Sequence, residues 1–182
     1  MALYHFSVRH VSRGKGQMVI ASAAYISGQR IFDSYYNKIH DYTSKSGVVF
    51  TEILTPEYVP ERLTDRETLW NEVEHVERNN KAQLAYSFDI ALQNELTLEE
   101  NIRLAKEFCQ EQFVARGMIV DLAIHEGKSD NEEEPDNPHF HVLVPIRPFT
   151  EEGIWGNKQR REYILSLIHI SEPTRLQLVS YA

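Results

Sequence analysis

Two stretches in the second half of the chain alternate strictly, and they constrain the fold more than any other feature. In residues 118–125, Met118, Val120, Leu122 and Ile124 are apolar, and Asp121, Ala123 and His125 fall between them. In residues 139–144, Phe140, Val142 and Val144 are apolar, and His139 and His141 take the alternate places. Successive side chains of a strand point to opposite faces, so each stretch reads as a strand with one buried apolar face and one face that carries histidine. Residues 126–138 between them are acidic and rich in Asn and Pro, which reads as a loop able to return the chain.

The remaining pattern supplies the partners of these strands. Residues 3–9 alternate, with Tyr4, Phe6 and Val8 on one side and Leu3, His5, Ser7 and Arg9 on the other. Residues 19–31 are Ala-rich and read as a helix that carries Tyr25; residues 37–46 read as a polar loop; residues 48–54 and 82–92 read as strands. Thr64-Asp65-Arg66-Glu67 and Thr97-Leu98-Glu99-Glu100 both have the spacing of a capping box, in which two side chains satisfy the free N–H groups of a helix start. Leu69, Trp70, Val73 and Val76 follow the first box, and Ile102, Ala105, Phe108, Cys109 and Phe113 follow the second, with Gly117 placed to close that helix. The order βαβαβαββ predicts an α+β domain built on an antiparallel sheet of about five strands, with helices packed on one face and the other face open.

A length of 182 residues suits one domain with a real core. No apolar run is long enough to span a membrane and no signal-peptide pattern opens the chain, so a cytoplasmic location without membrane insertion is expected. The single Cys109 excludes an internal disulfide and a cysteine zinc site, and its place among apolar residues predicts a core thiol. The net charge of −8 argues against a nucleic-acid binder, but its distribution weakens the objection. Residues 1–47 hold six basic side chains (Arg9, Arg13, Lys15, Arg30, Lys38, Lys45) against two acids (Asp33, Asp41), and Lys158, Arg160 and Arg161 form a second basic cluster.

His139 and His141, two apart on one strand, can present two imidazoles to one cation, and His125 can add a third from the neighbouring strand. Neutral ligands leave the ion's charge free to act on a phosphate oxygen. A divalent metal is therefore expected, magnesium or manganese first, with imidazole ligation also admitting zinc or nickel. Spacing alone does not single out a nucleophile among the nine tyrosines.

The segments Tyr4-His5-Phe6-Ser7-Val8, Ala21-Ser22-Ala23-Ala24-Tyr25-Ile26-Ser27-Gly28, Thr51-Glu52-Ile53-Leu54, Arg116-Gly117-Met118-Ile119-Val120-Asp121, Asn137-Pro138-His139-Phe140-His141-Val142 and Trp155-Gly156-Asn157-Lys158-Gln159-Arg160-Arg161-Glu162-Tyr163 resemble, in this order, the MobA/MobL plasmid mobilisation relaxases of the HUH endonuclease superfamily. The resemblance implies a single-strand DNA endonuclease and strand transferase that nicks an origin of transfer. It implies Tyr25 as the nucleophile of a 5′-phosphotyrosyl link, His125, His139 and His141 as metal ligands, and a type IV secretion coupling protein as partner. Many relatives carry glutamate where this chain has Ser87; Asp89, on the same strand face, is the expected substitute, and Asp121, which shares a face with His125, is expected to orient an imidazole. Arg9, Arg13, Lys15, Lys158, Arg160 and Arg161 are expected to hold the phosphates of single-stranded DNA. The rival readings are a rolling-circle replication initiator, a DNA-binding module without activity, and a histidine-metal hydrolase of small substrates. Residues 1–163 form the expected nuclease domain, cut short relative to relatives that continue. Residues 164–182 resemble a translated sequencing adapter and are expected to be foreign to the fold.

Overall fold

Alternation builds the sheet as the sequence predicts. The computed structural model describes residues 5–127 and 137–158. Its strands are β1 (Phe6–Ser12), β2 (Arg30–Asp33), β3 (Lys38–Asp41), β4 (Val48–Leu54), β5 (Gln83–Ala91), β6 (Val120–His125) and β7 (His139–Pro145), and its helices are α1 (Val19–Ser27), α2 (Arg66–Val76) and α3 (Leu98–Gln112). Five strands form one antiparallel sheet in the order β1-β5-β7-β6-β4. The α+β class and the antiparallel five-stranded sheet are those expected. No helix among the described residues is long and apolar enough to cross a membrane.

One face of the sheet is apolar throughout its centre. Tyr86, Phe88 and Ile90 of β5, Phe140, Val142 and Val144 of β7, and Val120, Leu122 and Ile124 of β6 are buried there beneath Ala105 and Cys109 of α3 and the following Phe113. Each such side chain contributes about 1.5–3 kcal/mol by leaving water. Helix α3 starts with both bonds of the capping box in place, Thr97 accepting from the Glu100 N–H and Glu100 accepting from the Thr97 N–H. Cys109 is fully buried, and burial pushes its thiol far above the usual range, as a core residue requires. Gly117 closes not α3 itself but a short 3-10 turn, Val114–Arg116, that follows it, at a φ of 83°.

The opposite face differs from the expectation of an open surface. Helices α1 and α2 cover half of it, packing Ile20, Ala23, Leu69, Trp70 and Val73 in one cluster with Ala85, Ala123 and Leu143 of the sheet. The alternation read Asp121 as a polar, outward group. It is in fact fully buried, held by Arg66 Nε and Nη2 at 2.9–3.0 Å and by Trp70 Nε1 at 2.8 Å. A charge so paired and hydrogen-bonded can lie under helices.

Helix α1 also ends earlier than the pattern suggests. Gly28, at a φ of 64°, closes it on the Ala24 carbonyl, and Ile31 belongs instead to the β2–β3 hairpin, which occupies part of the expected polar loop. The capping box at Thr64 does not form. Asp65 caps α2 by accepting from the Thr68 N–H at 2.8 Å, while Glu67 accepts from the Phe32 N–H and so ties the hairpin to the helix.

Candidate metal and strand-transfer site

The register of β6 on β7 decides the site. His125 faces His139, Ala123 faces His141, and His141 in turn faces Asp89 on β5. The three imidazoles meet with ring centroids 4.5–5.3 Å apart, and one ligand nitrogen from each lies within 4.8 Å of the other two. The expected convergence of His125, His139 and His141 is therefore present, on the half of the face that α1 and α2 leave uncovered.

The second nitrogen of two of the rings is fixed. His125 Nε2 donates to the Ile26 carbonyl at 2.7 Å, and His139 Nδ1 donates to the Asn137 carbonyl at 2.8 Å. A carbonyl only accepts, so these bonds set the tautomers and leave His125 Nδ1 and His139 Nε2 as lone-pair atoms. His141 Nδ1 lies 3.9 Å from Asp89 Oδ2, an electrostatic rather than a hydrogen-bonding distance. Burial pushes the His141 imidazole down to about 3, aided by the Lys45 and Arg9 charges and by repulsion from His125 and His139 in any protonated form. Burial also lowers His125, against a raising contribution from its bond to Ile26. Both rings are thus uncharged at neutral pH. Converging nitrogens whose other ring atoms rest on carbonyls or face a carboxylate fit a divalent cation.

Tyr25 stands at the end of α1, 49% exposed. Its ring meets Tyr42 edge-on at 5.4 Å, and Lys45 Nζ lies 3.7 Å from its centroid. The next residue, Ile26, carries the carbonyl that receives His125. That carbonyl is among the last of the helix and has no donor one turn further on, so the imidazole closes the helix and joins it to the histidine cluster. A hollow of about 200 Å³ opens beside His125 on the α3 side of the sheet, between Val49, Leu92, Ile124 and Pro138 and the start of α3.

The other expected residues divide. Arg9 is exposed and shares the histidine face with Ser87, its partner across β1 and β5. Lys15 is exposed. Arg13 is not a surface cation: it is buried, with bonds to Glu74 and to the Glu77 and Asn79 carbonyls at 2.7–3.3 Å. Lys158 is tied to Glu77 at 2.7 Å and to the Gln83 carbonyl, and Asp121, engaged beneath α2, orients no imidazole. Arg160 and Arg161 lie outside the described residues. Lys45 entered the sequence reading only as one more positive charge. It lies in a polar loop twenty residues from Tyr25, where no periodicity marks it.

Residues 17–177 match the family described as the MobA/MobL family; the end of that match lies in the stretch that resembles an adapter. The conjugal transfer protein TraA of Agrobacterium fabrum (strain C58 / ATCC 33970) is 36% identical over 168 residues, 87% of this chain and 15% of that protein. A chain from a structure described as "Molecular Basis of Vancomycin Resistance Transfer in Staphylococcus aureus" is 39% identical with a TM-score of 0.77, covering 87% of this chain and 77% of that one. The conjugative relaxase TrwC, bound to origin-of-transfer DNA and to metal, is 11% identical with a TM-score of 0.54, covering 91% of this chain and 65% of that one, a likeness of fold alone.

Proposed function

The chain belongs to the MobA/MobL family, and on that premise we propose that it is the strand-transfer domain of a relaxase that nicks one DNA strand at an origin of transfer and stays linked to the 5′-phosphate through Tyr25. It spans about 15% of the length of TraA, so the activity of a whole protein is part of the proposal. The observation that carries the reading is the bond from His125 to the Ile26 carbonyl, which sets three converging imidazoles beside the helix that bears Tyr25.

In this mechanism single-stranded DNA lies along the uncovered half of the sheet face, with Arg9 on its phosphates. A divalent cation held by His125, His139 and His141 would supply positive charge against the oxygens of the scissile phosphate. The Tyr25 phenol gives its proton to solvent, its oxygen bonds to phosphorus, and the bond from phosphorus to the 3′-oxygen breaks. That oxygen takes a proton from solvent and leaves as a free 3′-hydroxyl. One phosphate ester replaces another, so the same steps in reverse rejoin the strand. Magnesium or manganese is the expected ion. A type IV secretion coupling protein is the partner expected from the family, and the cytoplasm the expected place of action.

The test is a denaturing gel of the chain with labelled single-stranded DNA from the plasmid's own origin, in manganese or in chelator. A metal-dependent shift to protein size that disappears in Tyr25→Phe is the expected result. An adduct that survives the substitution would show that another residue attacks.

A further inference from the structure

The loop before β4 brings an ammonium group to the face of the Tyr25 ring. Lys45 Nζ lies 3.7 Å from the ring centroid and donates to the Tyr25 carbonyl at 3.1 Å. The backbone N–H of Lys45 donates to the Tyr42 carbonyl at 2.9 Å, and the Tyr42 ring meets Tyr25 edge-on. One turn of chain, residues 42–45, thus grips a half-exposed phenol from two sides.

The surroundings leave the charge of Lys45 directed at this ring and at the site. On the hairpin, Arg30 pairs with Asp41; on α2 and β6, Arg66 pairs with Asp121. On β6 and β7 the facing titratable groups are His125 and His141, both of which feel the Lys45 charge, with Asp89 beyond them. Among the described residues no carboxylate lies within ion-pair distance of Lys45. A cation over an aromatic face is attracted to the ring, and more strongly as the phenolic oxygen gains negative charge.

We propose that Lys45 is the positioning residue of the nucleophile: its ammonium holds the Tyr25 ring in one orientation and favours negative charge on the phenolic oxygen as it approaches phosphorus. The inference rests on the strand-transfer reading of Tyr25. It concerns what prepares the attack, not which atoms exchange.

The experiment compares the full chain with Lys45→Met and Lys45→Arg, with manganese and a labelled single-stranded oligonucleotide from the plasmid's origin of transfer. The readout is the initial rate of adduct formation against oligonucleotide concentration and pH. The Lys45→Met variant is expected to form adduct about tenfold more slowly near pH 7, with the deficit shrinking towards pH 9, because burial lowers the Lys45 ammonium below its usual range and the original chain loses that charge as the pH rises. Its KM for DNA stays within about twofold of the original, and the Lys45→Arg variant keeps most of the rate. A Lys45→Met variant with an unchanged rate, or one slowed equally at every pH with a raised KM, overturns the inference, the second outcome marking Lys45 as a plain phosphate contact. Should the Lys45→Met protein misfold by circular dichroism, Lys45→Gln carries the same comparison. Absence of any adduct with the original chain overturns the strand-transfer reading, and this inference with it.

Discussion

On the face that α3 covers, β5, β6 and β7 offer Tyr86, Phe88, Leu122, Ile124, Phe140 and Val142, all buried. One residue along each strand, the other face offers Asp89, Asp121, His125, His139 and His141. The same backbone therefore presents a continuous apolar layer to one side and, among Ala85, Ala123 and Leu143, charge and imidazole to the other. The second face is itself divided. Where α1 and α2 lie on it, Asp121 is neutralised by Arg66; where they do not, the histidines meet. The contrast teaches that polarity along a strand does not mark exposure. It marks where a charge has either a partner or a task.

Substitutions can test that division, beginning with the covered half of the polar face. Asp121→Ala leaves the Arg66 guanidinium buried without its carboxylate and is expected to cost about 3–5 kcal/mol in urea unfolding. The adjacent Leu122→Ala, on the apolar face, is expected to cost about 2–5 kcal/mol while metal affinity stays unchanged by calorimetry. A near-zero cost for Asp121→Ala would collapse the distinction between the two halves of its face.

The uncovered half should behave otherwise. Manganese at a hundredfold excess over its Kd is expected to stabilise the chain by about 2.7 kcal/mol, and His141→Ala to abolish that gain in thermal unfolding. In chelator the pH dependence has a definite sign. Folded His141 stays neutral down to about 3, whereas the unfolded chain protonates it near 6.5. The unfolded state binds more protons between those values, so the His141 contribution is whole above about pH 6.5 and is lost as the pH falls towards 3. A melting temperature of the original that gains on that of His141→Ala as the pH falls through this window would contradict it. The smallest effect belongs to Arg9→Ala, which is expected to leave stability unchanged and to lower the salt slope of single-stranded DNA binding by about 0.7.

Much of this was legible in the sequence. Strands β6 and β7 declare both faces because apolar residues occupy every second position, and the same period delivers the three histidines to one side. The Thr97–Glu100 cap is local, so its spacing suffices. What escaped depends on distant partners. Arg13 and Asp121 read as surface charges because Glu74 and Arg66, 61 and 55 residues away, make their burial tolerable. The hairpin escaped because its strands have four residues each and bury little, Ile31 being apolar enough to extend the preceding helix pattern. Thr64 lost its cap because the adjacent Asp65 accepts the helix N–H instead, and Glu67 is drawn to the hairpin. Tyr25 is singled out only by its resemblance to the family's motif, not by period or spacing, and Lys45 has no periodic neighbour to announce it.

The imidazole that closes α1 gives the three histidines unequal histories. On the proposed strand-transfer reading, His139 and His141 serve the chemistry alone, so a lineage without that activity can discard them with little harm to its fold. His125 also ends a helix, and its replacement disturbs the architecture whether or not a strand is ever cut. Position 26 is freer, since the acceptor there is main chain and any apolar side chain preserves it. On the same reading, a descendant that no longer transferred strands would lose the His-x-His pair first and keep the solitary upstream histidine longest.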